Sequence, residues 1–327
     1  MSVKFHAWVI HDYSNLDSLQ LVQQDIPEPP SGKLLVKMEC STINASDLIS
    51  LRGGYYQESA PINAGLKGSG TVIKSGGGEL ADSLVSKRVC FATNGTWAEY
   101  AIVNANVAFP LEDHITFEQG TSICFNPLTV MNIIEYVQKD NHKAFMHNAA
   151  ASALGLQLVR YTKTLGIPLI NIVRREDQAQ LLRSSGAEHV LITSEPDWKE
   201  KARILSNELG ASVGFDAIGG EDTTDMAELL QDRGIVYSYG NISGKSPAIP
   251  TFQLIFKFKK LEGLYVIPWF LEKDAEERSR ILKFIQNNMD IFGTHYNKEI
   301  DLNGVKEALE SYRQKSTQNK ILIRTRV

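Results

Sequence analysis

With 327 residues, 43% of them apolar and 22% charged, and a formal net charge of −4, the chain has an ordinary globular composition and a length suited to two domains. The acidic balance and the lack of a Lys/Arg-rich block argue against a nucleic-acid surface, and no run reaches the roughly 18 apolar residues of a membrane span. The start, MSVKFHAWVIHDYS, has no basic stretch leading into an apolar one, so a cytosolic protein is expected.

Up to about residue 126 the pattern is of short strands broken by turn chemistry. HAWVI (6–10), LQLVQQ (19–24), KLLVKMEC (33–40), GTVIK (70–74) and RVCFAT (88–93) are separated by Pro27 to Gly32, Gly53 to Gly54 and Gly76 to Gly78. Cys40, Cys90 and Cys124 are odd in number and far apart, so they form no disulfide framework and no paired metal knuckle, and read as buried structural thiols.

From Pro127 the rhythm becomes alternating helix and strand. KAFMH (143–147), PLINIV (168–173), EHVLIT (188–193), SVGFDAI (212–218), IVYSYG (235–240) and LEGLYVI (261–267) read as strands. Leu154, Leu158, Tyr161 and Leu165 share one helical face between the first two, and Trp198, Ala202, Leu205 and Leu209 share another further on. Six strands with crossover helices predict an α/β fold with a doubly wound parallel sheet. Helices near Ala275 to Asn288 and Gly304 to Lys315 and a last strand, KILIRT, complete the chain.

HNAAASALG (147–155) stands where a glycine-rich dinucleotide turn belongs, with Ala150, Ser152 and Gly155 at the three glycine positions. The turn must be tight, let a pyrophosphate approach the backbone, and pack helix closely on strand. Small residues meet those demands, with the amides of Ala150, Ala151, Ser152, Ala153 and Leu154 and the Ser152 hydroxyl facing a phosphate. About twenty residues further on, an acidic residue would hold the ribose 2′-hydroxyl of NAD(H). The chain has Arg174 and Arg175 there. The pair is either a solvated loop or the seat of a 2′-phosphate, and its place at a strand's carboxyl end favours the phosphate, hence NADPH as cofactor.

The chain resembles the medium-chain dehydrogenase/reductase superfamily. STINASDLISLRGGYY (41–56), GTWAEY (95–100), FNPLTVMNII (125–134), INIVR (170–174), GAEHVLIT (186–193), FDAIGG (215–220) and YSYGNISGK (237–245) carry the likeness. They are most similar to the zinc-independent quinone oxidoreductase branch, and within it to NADPH-dependent 2-enoyl thioester reductases. The resemblance implies a GroES-like substrate domain over 1–126, a Rossmann domain over 127–287 and a tail, 288–327, that returns to the first domain. It implies that Tyr55 donates a proton or orients a substrate carbonyl, and that Asn44 and Thr129 lie near the nicotinamide; Asn44 could equally cap a short helix beginning at Ala45. By the same likeness Ile218, Tyr239, Gly240 and Ile267 contact the cofactor, and the segment 254–269 covers the nicotinamide and enters a dimer contact.

Zinc-dependent relatives carry a ligand cysteine near Ile43 and Asn44, a GHE motif near 65–67 and a four-cysteine lobe after Ala92. This chain has Gly65, Leu66 and Lys67 and no cysteine cluster, so no zinc is expected; Lys67 also replaces a glutamate common in the zinc-free branch. The expected reaction is reduction of an activated C=C bond, in an enoyl thioester or enone, by a homodimer. A quinone reductase using the same cofactor is the alternative enzyme, and an NADPH-binding protein without turnover the non-enzymatic one.

Overall fold

The computed structural model describes residues 4–54, 59–314 and 320–327. The chain divides into two compact units, one of residues 1–125 and 279–327, the other of residues 126–278. Strands β1 (Lys4–Ile10), β2 (Leu19–Asp25), β3 (Lys33–Ile43), β4 (Ile62–Asn63), β5 (Lys67–Ser75), β6 (Arg88–Ala92), β7 (Tyr100–Asn104) and β8 (Ala108–Pro110) belong to the first unit. Strands β9 (Ala144–His147), β10 (Leu169–Val173), β11 (His189–Ile192), β12 (Ala211–Asp216), β13 (Ile235–Ser238) and β14 (Lys260–Gly263) form the second, and β15 (Lys298–Ile300) and β16 (Ile321–Arg324) return to the first.

In the first unit β3 is the organising strand. Eleven residues long, it pairs antiparallel with β5, β7 and β16, within a sheet ordered β15-β16-β3-β5-β6-β8. A smaller sheet runs β2-β1-β4. The tail is tied in by packing as well as by β16. The helix Val305–Gln314 lays Val305, Ala308, Leu309 and Tyr312 against Trp8, Ile10, Ile43 and Trp97. The two indoles are anchored by their N–H groups, Trp8 to the Leu302 carbonyl at 2.7 Å and Trp97 to that of Thr42 at 2.9 Å, as buried tryptophans require.

The second unit is a six-stranded, all-parallel sheet ordered β11-β10-β9-β12-β13-β14. Counted from β9, this is the order 3-2-1-4-5-6 of a doubly wound dinucleotide-binding fold. Its central strands β9 and β10 are buried along their whole length, which is why AFMH and LINIV are mostly apolar and do not alternate, His147 and Asn171 being their buried polar exceptions. Ala144, Met146, Ile170, Ile172, Ala211 and Val236 pack under Ala202, Met226 and Ala227 from the covering helices. The four residues read as one helical face, Trp198, Ala202, Leu205 and Leu209, lie in the helix Trp198–Leu209.

The sixth strand departs from expectation. It ends at Gly263, and Val266 and Ile267 open the helix Val266–Leu271 instead of continuing the strand to residue 267. An apolar stretch of this length does not distinguish a buried strand from a short helix by periodicity. Lys315, expected to end the last helix, lies outside the described residues.

Candidate active site

Parallel strands deliver their carboxyl ends, and the loops that follow them, to one edge of the sheet. At this edge of the second unit stand the turn after β9, the arginines after β10, the loop after β12 and the loop after β13.

After β9 the backbone turns through Ala149, whose φ of 48° lies in the left-handed region, a conformation that costs a residue with a side chain. Ala150 and Ala151 are buried, and the helix Ala153–Leu165 then starts at Ser152. The Ser152 hydroxyl accepts the Gly155 N–H at 3.1 Å. It therefore serves as the helix cap, with its own O–H proton still available. Gly155 is the one intact glycine of the fingerprint, and space requires it: a Cβ there would stand 2.0 Å from the Ala150 carbonyl oxygen. This is the close packing of helix on strand that the third glycine serves. The substituted turn meets the steric demands of the glycine-rich one and presents a helix N-terminus.

Arg174 and Arg175 follow β10 and are both exposed. Their backbone amides donate to Gln178 Oε1 at 3.1 and 3.2 Å, which fixes the bend into the helix Glu176–Ser184. Their side chains differ. Arg175 is held by Asp177 through two hydrogen bonds, Nε to Oδ1 at 3.0 Å and Nη2 to Oδ2 at 3.2 Å, and the hydrogen bonding, with the guanidinium charge behind it, holds the Asp177 carboxyl below the ordinary range. Arg174 has no carboxylate partner among the described residues. It is the uncommitted cation at this position.

The loop after β12 is built on Asp216, fully buried at the strand end. Its Oδ1 accepts from Asn148 Nδ2 at 2.5 Å and from the Ile218 and Gly219 amides at 2.9 and 3.1 Å; its Oδ2 accepts from Thr223 Oγ1 at 2.5 Å. Asn148 returns its own carbonyl to the Ala217 amide at 2.8 Å, so the turn after β9 and the loop after β12 are one hydrogen-bonded body. The loop after β13 is zipped to it in turn, Ile242 N–H to the Ala217 carbonyl at 3.2 Å and Ser243 N–H to that of Ile218 at 2.8 Å. Gly240 permits the approach, since a Cβ would meet the Ala217 oxygen at 2.7 Å.

The expected cofactor residues 150–154, 174, 175, 218, 239 and 240 thus stand on one edge of one sheet. Ile267 is half-buried in the helix after β14, and Thr129 is buried in the helix Asn126–Lys139. Asn44 lies in the first unit and Tyr55 lies outside the described residues. Asn44 precedes the helix Ala45–Ser50, donating its N–H to Asp47 Oδ2 at 2.7 Å and its side-chain amide to Thr42 Oγ1 at 2.5 Å. Asp47 is buried, and burial pushes its carboxyl up to about 6 against the opposing pull of Lys67. Lys67 is buried too, its ammonium 4.6 Å from the Phe125 ring centroid, and burial lowers its pKa against the charge of Asp47. Sequence reading singled out Lys67 but passed over its acidic neighbour, because nothing local marks Asp47 as a partner for a residue twenty positions on.

Among the described residues no group of three or more His, Cys, Asp or Glu side chains is arranged to hold a metal ion. The three cysteines are buried and unpaired. A cation, Lys67, stands where zinc-dependent relatives place an acidic residue, so the residues present do not fit a zinc site of that kind. No helix among the described residues is long and apolar enough to cross a membrane.

A parallel sheet of this order, with a small-residue turn, a helix N-terminus and an uncommitted arginine at its carboxyl edge, is the architecture of a dinucleotide-binding protein. Residues 30–113 match the alcohol dehydrogenase GroES-like domain family and residues 153–287 the zinc-binding dehydrogenase family. The chain is 28% identical over 288 residues to a mitochondrial enoyl-[acyl-carrier-protein] reductase of Xenopus tropicalis, covering 84% of this chain and 81% of that one. It is 30% identical over 238 residues to a quinone oxidoreductase of Salmonella typhimurium, covering 72% of each. The crystal structure of a candidate NADPH:quinone reductase from Mesorhizobium loti superposes with a TM-score of 0.90 at 28% identity, over 99% of this chain and all of that one. The chain belongs to the medium-chain dehydrogenase/reductase superfamily, close to its quinone oxidoreductases and enoyl reductases.

Proposed function

We propose that this protein is an NADPH-dependent oxidoreductase that reduces the activated C=C bond of an enoyl thioester or enone. The observation that carries the cofactor is the Arg174 guanidinium, left without a carboxylate partner after β10 while Arg175 is tied to Asp177. The enoyl reductase relatives support the acceptor. When bound, NADPH supplies a hydride, which the β-carbon of a conjugated acceptor can take because the carbonyl drains the electron pair. The chain's own part is to seat the pyrophosphate on the Ser152-capped helix, to meet the 2′-phosphate with Arg174, and to protonate the α-carbon. Tyr55 is the proposed proton donor or its organiser, and Asn44 the proposed polar neighbour of the reacting groups.

A steady-state panel tests this reading. NADPH should be oxidised by crotonyl and longer enoyl thioesters in preference to quinones, and Tyr55→Phe should lower kcat on thioesters while leaving NADPH binding intact. Turnover of quinones but not thioesters moves the assignment to a quinone reductase, the reading favoured by the Salmonella relative. Tight NADPH binding with no turnover of either class marks a cofactor-binding protein.

We also propose a twofold dimer through β14. That strand is exposed along all four residues and, among the described residues, pairs with β13 alone, and it is flanked by the exposed Phe256 and Tyr265. An open strand edge flanked by exposed apolar side chains invites a second copy of itself. Light scattering should return twice the 36.4 kDa chain mass, and Leu261→Asp should return the monomer; a monomeric wild type ends the proposal. The three unpaired cysteines fit a reducing compartment, and the cytosol is the proposed one.

A further inference from the structure

His147 ends β9 fully buried, and its Nε2 lies 2.5 Å from the hydroxyl of Tyr239, which follows β13. The two rings are near parallel, at 11°, with centroids 5.9 Å apart. At that separation the contact is end-on, from phenol oxygen to imidazole nitrogen, and not face to face. Burial takes the imidazole down to about 3, and burial with the nearby Asp216 charge takes the phenol well above its ordinary range. Both partners are neutral at working pH, so one of them donates and the other accepts.

The accounting of protons decides which. A neutral imidazole has one N–H, and His147 Nδ1 is buried without a partner among the described residues. A proton on Nδ1 would bury an orphan donor; a proton on Nε2 leaves only an unused lone pair. Orphaned buried donors are the rarer and costlier case. Nε2–H therefore donates to the Tyr239 oxygen, and the phenol's own proton is left free. Tyr239 is half-buried, so that proton is within reach of a ligand at the edge.

The position of the pair says which part of a ligand. Arg174 places the adenosine end over β10, and a dinucleotide crosses the point where strand order reverses, between β9 and β12. Its nicotinamide half then lies on the β12 and β13 side, where Tyr239 stands. We propose that His147 is a positioning residue that fixes Tyr239 as a hydrogen-bond donor to the nicotinamide half of the cofactor, the carboxamide oxygen being an acceptor of the right class. This rests on the NADPH reading.

Tyr239→Phe, His147→Leu, His147→Gln and the Phe/Leu double variant test it, with fluorescence titration of NADPH and of 2′-phospho-ADP-ribose, which lacks nicotinamide. The Phe and Leu variants should each weaken NADPH by about 2- to 10-fold, the worth of one neutral hydrogen bond. The double variant should be no weaker than either single one. Gln, whose side-chain amide can still donate, should recover most of the loss, and affinity for 2′-phospho-ADP-ribose should be unchanged throughout. NADPH affinity equal to wild type in both single variants, losses that multiply in the double variant, or equal weakening of both ligands overturns the proposal while the NADPH reading stands. A wild type that binds no NADPH overturns both.

Discussion

Asp216→Ala is expected to destabilise the second unit by about 4 kcal/mol. The carboxylate receives four donors, the Asn148 side-chain amide, the Ile218 and Gly219 amides and the Thr223 hydroxyl, at a site with no solvent exposure. Each buried donor left without an acceptor costs ~1–3 kcal/mol, and alanine leaves all four. Some relaxation of the Ile218–Gly220 loop toward water will recover part of that, so the sum is taken near the bottom of its range. For a unit of this size roughly 2–4 °C of Tm go with each kcal/mol, so a fall on the order of 10 °C is the expected calorimetric result. Asp216→Asn keeps the shape but turns one acceptor into a donor facing donors, and should fall between the two. A Tm within 2 °C of wild type for the alanine variant would show that the network is not what holds the loop. Because the loop after β13 hangs on Ala217 and Ile218, NADPH affinity should fall with stability.

Much of this architecture was legible in the sequence, for reasons that can be named. The parallel sheet was readable because strands buried on both faces are continuous apolar runs, and because turn residues and helical periodicity separate them. The turn after β9 was readable in spite of its lost glycines, since Gly155 occupies the one position where a Cβ would strike backbone. What failed was what depends on distance in space. LEGLYVI carries no local mark of where β14 gives way to a helix. Asp216 and Asn148 are 68 residues apart, and His147 and Tyr239 are 92 apart. Each residue alone reads as ordinary strand-end polarity. The adjacent arginines look alike in one dimension, and only Asp177, two residues on, separates them.

That separation gives the sharpest functional expectation. Arg174→Ala should lower the ratio of kcat/KM for NADPH to that for NADH by about 10- to 100-fold, the worth of one charge-assisted hydrogen bond to phosphate at ~1.5–3 kcal/mol. Arg174→Glu should lower it by roughly 100- to 1000-fold, because a carboxylate then repels the phosphate dianion in addition to leaving it unpaired. Arg175→Ala should change the ratio much less. Its guanidinium already spends two N–H groups on Asp177, so removing it also releases a carboxylate into solvent and shifts the local field by little. Asp177→Ala, which unties Arg175, should raise NADPH preference and blunt the effect of Arg174→Ala, since a second cation becomes available. All these positions are exposed, so the effects should shrink as salt is raised from 50 to 500 mM, where the screening length drops well below its ~10 Å at 0.1 M. The measurement is kcat/KM for both cofactors with one acceptor at saturation, in each variant and at both salt concentrations. A wild type that prefers NADH would remove the basis for the cofactor assignment, and an Arg175→Ala loss larger than that of Arg174→Ala would show that the Asp177 pair opens to receive the phosphate.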